Sequence, residues 1–321
     1  MVVKRFLLVE KINSLTKKTI CDNIKTSQRD VFFVYGSDSM KILIYPNNIE
    51  EIEKTKDLVD GYIIGIKDMS INANMYIEDL SILNSIKGDI FISLNKNMHN
   101  SDLDKLKEIL IDLNNYNIKG VMYYDVGVLN IYRTLNVNYD LVWAQEHLTT
   151  NQSTINYWNS FGVNYTYLSS DITEEEIIEI SKNTKSKLIV NLFGYLPMFV
   201  SKRHIVKNYL EYFKLEDDSS INYMTKENKT YPIIDNNIGT SVYSNNILNG
   251  IKSVLNIGVE YIVLNSFDIE LDKFISVIGM FKSVNKDNVL EYEEKINNMF
   301  NNVDNGFLNT KTIYKVKKDA K

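Results

Sequence analysis

Lys202, Arg203, His204 and Lys207 crowd together just after the apolar stretch 194–200. Cations gathered beside backbone N–H groups bind phosphate or carboxylate, and an arginine among them adds bidentate recognition. The solvated face of a helix has the same composition, so both readings stay open here. Asp125 is the acid or base candidate. It follows the apolar run Val121-Met122-Tyr123-Tyr124 and precedes Val126-Gly127, a context that also suits a helix cap. Glu146, next to Gln145, is either a second carboxylate of the same site or a solvated side chain. His99, His147 and His204 fall in three different loops with no ligand spacing, so they read as surface histidines and no metal is assigned. The single thiol, Cys21, builds neither an internal disulfide nor a four-cysteine zinc or iron–sulfur site. G-x-S-x-G, H-E-x-x-H, the Walker loop and G-x-G-x-x-G are all absent.

Side chains this scattered act together only if a fold gathers them. Short apolar runs recur at 41–46, 61–66, 89–94, 120–124, 141–144, 165–168, 187–193 and 261–265. Each reads as a strand buried on both faces. Helical patterns with start signals lie between them. Asn48 precedes Ile49 and Ile52, Ser101 precedes Leu103, Leu106 and Leu110, and Thr173 with Glu176 forms a capping box. Asn151 caps a helix expected to bury Ile155, Trp158 and Phe161. This alternation predicts an α/β fold, a (β/α)8 barrel of the TIM type, with a doubly wound open sheet as the competitor. Tyr231–Asp235 and Thr240–Tyr243, joined through Asn-Asn-Ile-Gly, predict a β-hairpin inserted between strands 7 and 8, within 215–246. The barrel is expected over 41–300, preceded by an extension at 1–40 and followed by a basic tail at 301–321. Met40, directly before the first strand, is a candidate start for the barrel proper. In such a barrel chemistry belongs at the C-terminal strand ends, which places Asn95, Asp125 and Gln145 at one mouth with the Lys202–Arg203 turn beside them.

Composition narrows the function. Lys plus Arg number 36 against 41 Asp plus Glu, a net charge of −5. Proteins that hold nucleic acid by bulk charge are basic, so any RNA contact must come from a local patch. The hydrophobic content of 44% excludes disordered and collagen-like classes. No apolar run approaches the ~18 residues of a membrane span, and one cysteine points to the reducing cytoplasm.

Several segments, in order, resemble the peptidase U32 family. Gly194, Ser201, Arg203, Asn208 and Tyr209 match its strand–turn signature, and Met198–Arg203 looks like its short members. Met-Lys-Ile-Leu-Ile-Tyr-Pro at 40–46 resembles the opening strand, Ser93-Leu94-Asn95 the third, and Asp125-Val126-Gly127-Val128 the family's Asp-Pro-Gly-Val. Gln145 with Thr150-Asn151 is similar to its Gln-x-x-x-x-Thr-Asn. The resemblance implies a barrel that supports oxygen insertion, as in prephenate-dependent hydroxylation of tRNA wobble uridine. Asp125 is the implied catalytic residue; Asn95, Gln145, Asn151, Lys202, Arg203 and Asn208 are the implied substrate-binding set. Many members hold an iron–sulfur cluster, but Pro197 and His204 stand where the first two cluster cysteines are often found, so no cofactor is expected here. Ser170 replaces an arginine of the family pattern. The implied partners are tRNA, and a longer, cysteine-bearing paralogue or a second copy of this chain. The alternatives are a collagenase-like peptidase, as the family name has it, and a non-catalytic binding subunit.

Overall fold

The computed structural model describes residues 40–310 apart from Glu146 and Asp218. Residues 1–39, with Cys21, the end of the expected tail at 311–321, and Glu146 lie outside the described residues. In chain order the described strands are β1 (Lys41–Tyr45), β2 (Gly61–Ile66), β3 (Tyr76–Ile77), β4 (Asp89–Leu94), β5 (Gly120–Tyr123), β6 (Asp140–Trp143), β7 (Tyr165–Tyr167), β8 (Lys187–Ser201), β9 (Asn222–Lys226), β10 (Lys229–Asn236), β11 (Gly239–Asn249), β12 (Tyr261–Asn265) and β13 (Val303–Asp304). The α-helices are α1 (Ile49–Thr55), α2 (Leu103–Leu113), α3 (Val126–Tyr132), α4 (Gln152–Ser160), α5 (Glu174–Asn183), α6 (Ile205–Phe213), α7 (Leu271–Ser283) and α8 (Val289–Met299).

Strands β1, β2, β4, β5, β6, β7, β8 and β12 pair in parallel in that order, and β12 bonds to both β8 and β1. The register Lys41↔Tyr261↔Ile189 closes the ring. It is the expected (β/α)8 barrel, not an open sheet. Alternation along each strand divides the apolar residues between two layers. Leu43, Ile63, Phe91, Met122, Val142 and Ile189 fill the interior, where Phe91 meets Tyr261 edge-on at 5.4 Å. Ile42, Ile44, Ile64, Ile90 and Ile92 pack outward under the helices. Both faces being covered explains why these strands read as unbroken apolar runs.

Three of the expected helix starts follow their caps; the fourth does not, since a 3-10 turn at 100–102 precedes α2 and Asp102 Oδ2, not Ser101, accepts there, from the His99 N–H at 2.8 Å. Asn48 accepts from the Glu51 N–H at 2.9 Å and Asn151 from that of Thr154 at 3.0 Å. Thr173 and Glu176 form the expected capping box. α4 buries Ile155 and half-buries Trp158, but Phe161 stays exposed because the helix has already ended at Ser160.

The hairpin between the seventh and eighth barrel strands is β10–β11, with Ile233 opposite Val242. Its turn is closed by Asn236 Oδ1, which accepts from the N–H groups of Ile238 at 3.0 Å and Gly239 at 3.1 Å. Two features go beyond the expectation. β9 adds a third strand at the outer edge. β8 continues through 194–201 as a strand antiparallel to β11, where the sequence reads as an apolar loop. Gly194 makes this continuation: its φ is +106°, and a Cβ there would lie 2.3 Å from the Asn265 carbonyl oxygen. The partner strand lies far along the chain, so no local pattern announces it. Among the described residues no helix is long and apolar enough to cross a membrane.

Candidate functional site

Half of the barrel mouth is sealed by amides. Asn95, 4% exposed at the exit of β4, accepts from the N–H groups of Ile71 at 2.8 Å and Asn72 at 3.2 Å, and donates to the Asn72 carbonyl at 2.6 Å. It therefore shapes the loop after β2. The insertion latches on to the same loop. Asn236 Nδ2 and Ser241 Oγ donate to the Ile71 carbonyl at 2.8 and 3.1 Å, and Tyr243 OH donates to Asn72 Oδ1 at 2.6 Å. On the β1–β12 side, Asn74 Nδ2 donates to the Tyr45 carbonyl and to Asn265 Oδ1, each at 2.9 Å, and Ser266 Oγ donates to the Tyr45 carbonyl at 2.7 Å.

The rest of the mouth, above β4, β5 and β6, holds a cavity of about 290 Å3. Asn95, Tyr124, Gln145, His147 and Lys202 line it, and Met198 and Phe199 of β8 form an apolar wall. Lys202, directly after β8, reaches across the mouth, its Nζ donating to the Asn97 carbonyl at 2.9 Å. The Gln145 side-chain amide has no hydrogen-bond partner among the described residues, while its carbonyl accepts from Thr149 Oγ1 at 2.8 Å and so is held in place. At the rim His147 Nδ1 lies 3.5 Å from Asp171 Oδ2, with both side chains more than half exposed. A second cavity of about 330 Å3 adjoins the first across His147, Pro197 and Met198. A free amide, an ammonium and an apolar wall suit a flat polar ligand or one carrying a carboxylate.

The mouth thus brings together Asn95, Gln145 and Lys202 of the expected set. The other four sit elsewhere. Asp125 caps α3: its carboxylate accepts from the N–H groups of Gly127 at 2.8 Å and Met98 at 3.0 Å. Asn151 caps α4, and Asn208 stands exposed on α6. Arg203 is exposed beside the cavity, its backbone held by Ser201 Oγ at 3.1 Å and Thr240 Oγ1 at 2.7 Å. Asn72, Tyr124 and the wall residues Met198 and Phe199 line the cavity from outside the expected set. Tyr124 was legible in principle, since its neighbour Tyr123 packs outward and strand alternation turns the next side chain inward.

Two carboxylates near the mouth are perturbed. Burial pushes the Glu51 carboxyl up, against the hydrogen bond its Oε2 accepts from the Asn47 N–H at 2.9 Å; its Oε1 has no partner among the described residues. Burial likewise raises Asp268, which accepts from Tyr223 OH at 2.9 and 3.1 Å. Desolvation, and then the bonded carboxylate, push the Tyr223 phenol up to about 12. This pair ties β9 to the loop after β12.

A closed ring of parallel strands with an amide-lined cavity at its C-terminal face defines a (β/α)8-barrel protein with a candidate site at the strand ends. The chain belongs to peptidase family U32, whose model matches residues 48–317. It is 24% identical over 250 residues to the tRNA hydroxylation protein P2 of Bacillus subtilis (strain 168), a match that spans 70% of this chain and 81% of that protein. Among solved structures, a U32 peptidase aligns with a TM-score of 0.45 and 11% identity over 72% of this chain and 93% of its own. A tryptophan synthase complex from Pyrococcus furiosus aligns with a TM-score of 0.39 and 10% identity over 80% of this chain and 97% of the aligned one.

Proposed function

We propose that this chain is a cytoplasmic component of prephenate-dependent tRNA uridine hydroxylation. The observation that carries the reading is the similarity to tRNA hydroxylation protein P2 across most of both chains. The cavity is consistent with it. Lys202 supplies one cation for a carboxylate or phosphate, with Arg203 at the edge, and the Gln145 amide can donate to and accept from a planar ring. Lys207 and Asn208 lie further along α6 and serve the larger partner. The donor set does not fit an iron–sulfur cluster: Pro197 lines the cavity wall, His204 precedes α6, and the chain has one cysteine. Mass spectrometry of tRNA nucleosides from a strain lacking this gene tests the proposal. Loss of the hydroxylated wobble uridine is expected; an unchanged nucleoside profile refutes it.

One observation favours a second reading, in which this chain binds while a longer paralogue reacts. Both oxygens of the Asp125 carboxylate are engaged by backbone N–H groups, which leaves it a capping role. Co-purification of the paralogue with this chain supports that reading. Full activity of this chain alone refutes it.

A further inference from the structure

Every polar group of Asn72 but one is engaged. Its N–H donates to Asn95 Oδ1 at 3.2 Å, and its carbonyl accepts from Asn95 Nδ2 at 2.6 Å. Its Oδ1 accepts from Tyr243 OH at 2.6 Å. So short a distance suits an O–H donor and not an N–H one, which sets the amide with Oδ1 toward the tyrosine. Tyr243 is 1% exposed and its ring stacks on Phe267 at 4.0 Å between centres, so the hydroxyl is itself held in place. Asn72 Nδ2 is left without a partner among the described residues, on a residue that is 9% exposed and lines the mouth cavity.

The result is a hydrogen-bond donor of fixed direction at the edge of the cavity. Gln145 differs, since its amide can present either end. A fixed donor accepts a carbonyl oxygen and rejects an amino group, because two facing N–H groups leave each other unpaired and cut off from water. Among the pyrimidines that is the difference at ring position 4, where uracil carries an oxygen and cytosine an amino group. The cavity, about 290 Å3 with Met198 and Phe199 as an apolar wall, is at the small end for a ligand pocket and takes one ring, not a stacked pair. Proteins that act on a base draw it out of its stack, hold its faces against apolar side chains and read its edge with hydrogen bonds. Gln145, which both donates and accepts, suits the ring N–H beside the selected oxygen.

We infer that Asn72, oriented by Tyr243, is the residue that selects uracil over cytosine in the mouth cavity, its Nδ2 donating to the carbonyl oxygen at ring position 4. This rests on the tRNA reading above and names the group that chooses the base.

The test is fluorescence anisotropy of the full chain with two unmodified tRNA transcripts that differ only in the wobble nucleotide, U or C. The wild type is expected to bind the U transcript at least about tenfold more tightly. Tyr243→Phe keeps the stacked ring and removes the hydroxyl, so Asn72 can turn either end of its amide to the base, and the ratio is expected to collapse toward unity. Asn72→Asp presents an oxygen where Nδ2 stood. Its added charge weakens both complexes, and the ratio is expected to invert in favour of the C transcript. Circular dichroism checks that each variant folds, and either one alone carries the test. A ratio that a substitution collapses or inverts in this way upholds the inference. If the wild type binds both transcripts equally, the selection is overturned and the tRNA reading survives. If it prefers U and neither substitution changes the ratio, the choice is made by other groups and the inference fails. If neither transcript binds, the inference and the tRNA reading fall together.

Discussion

Replacing Asn95 separates a structural role from a ligand-binding one. The side chain makes three buried hydrogen bonds to the loop after β2, at 2.8, 3.2 and 2.6 Å. Ile71 and Asn72, which it holds, are 6% and 9% exposed, so neither N–H has ready access to water. Asn95→Leu keeps the branched shape, with bulkier methyl ends, and removes all three bonds. Each orphaned buried group costs about 1–3 kcal/mol, partly relieved as the loop relaxes or admits water. The expected loss is about 2–4 kcal/mol. With a urea m-value of roughly 2–3 kcal/mol/M, the unfolding midpoint falls by about 1 M. Asn95→Ala should lose about as much, plus a smaller contribution from the volume removed. Amide exchange supplies a local readout, in which the Ile71 and Asn72 N–H groups exchange faster in both variants. The loop also carries Ile71 and Asn72 of the cavity wall and the latches from Asn236, Ser241 and Tyr243, so ligand binding falls with stability. An Asn95→Leu protein within about 0.5 kcal/mol of the wild type, with exchange at both amides unchanged, refutes the reasoning. Asn95 would then belong to the ligand alone.

Further outcomes are expected elsewhere. Gly194→Ala should destabilise by about 2 kcal/mol or more, because a φ of +106° and an oxygen 2.3 Å from the new Cβ oppose any side chain; thermal unfolding by circular dichroism measures it. Glu51 is raised above its ordinary value of 4.5, so the folded state binds its proton more tightly and the ionised form opposes folding at neutral pH. Glu51→Gln should therefore raise the urea midpoint at pH 7, and the gain should vanish below about pH 4; an equal gain at both pH values contradicts the assignment. Tyr62, Tyr123, Tyr139 and Tyr261 are all pushed upward by burial, and Tyr223 reaches about 12 against an ordinary 10.0. The folded chain keeps phenol protons that the unfolded chain releases, so stability falls as pH rises above 10. Tyrosinate absorbance should lag in the native protein and appear together with unfolding.

The barrel was legible because its cause is local and repeated. Runs such as Gly61–Ile66 are apolar on both faces, since core and helix layer each cover one. Caps such as Asn48, Asn151 and Thr173 mark helix starts because the groups they satisfy lie within three residues. The hairpin turn at 236–239 was readable for the same reason. Roles that depend on distant partners were not. Asp125, Asn95 and Gln145 share a polar type and a place at strand ends, yet one caps a helix, one braces a loop, and one lines the cavity. Residue type and position state what a side chain can bond to; only the closed ring, the continuation of β8 past Gly194 and the folded-back insertion decide which partner reaches it first, because those neighbours come from segments far apart along the chain.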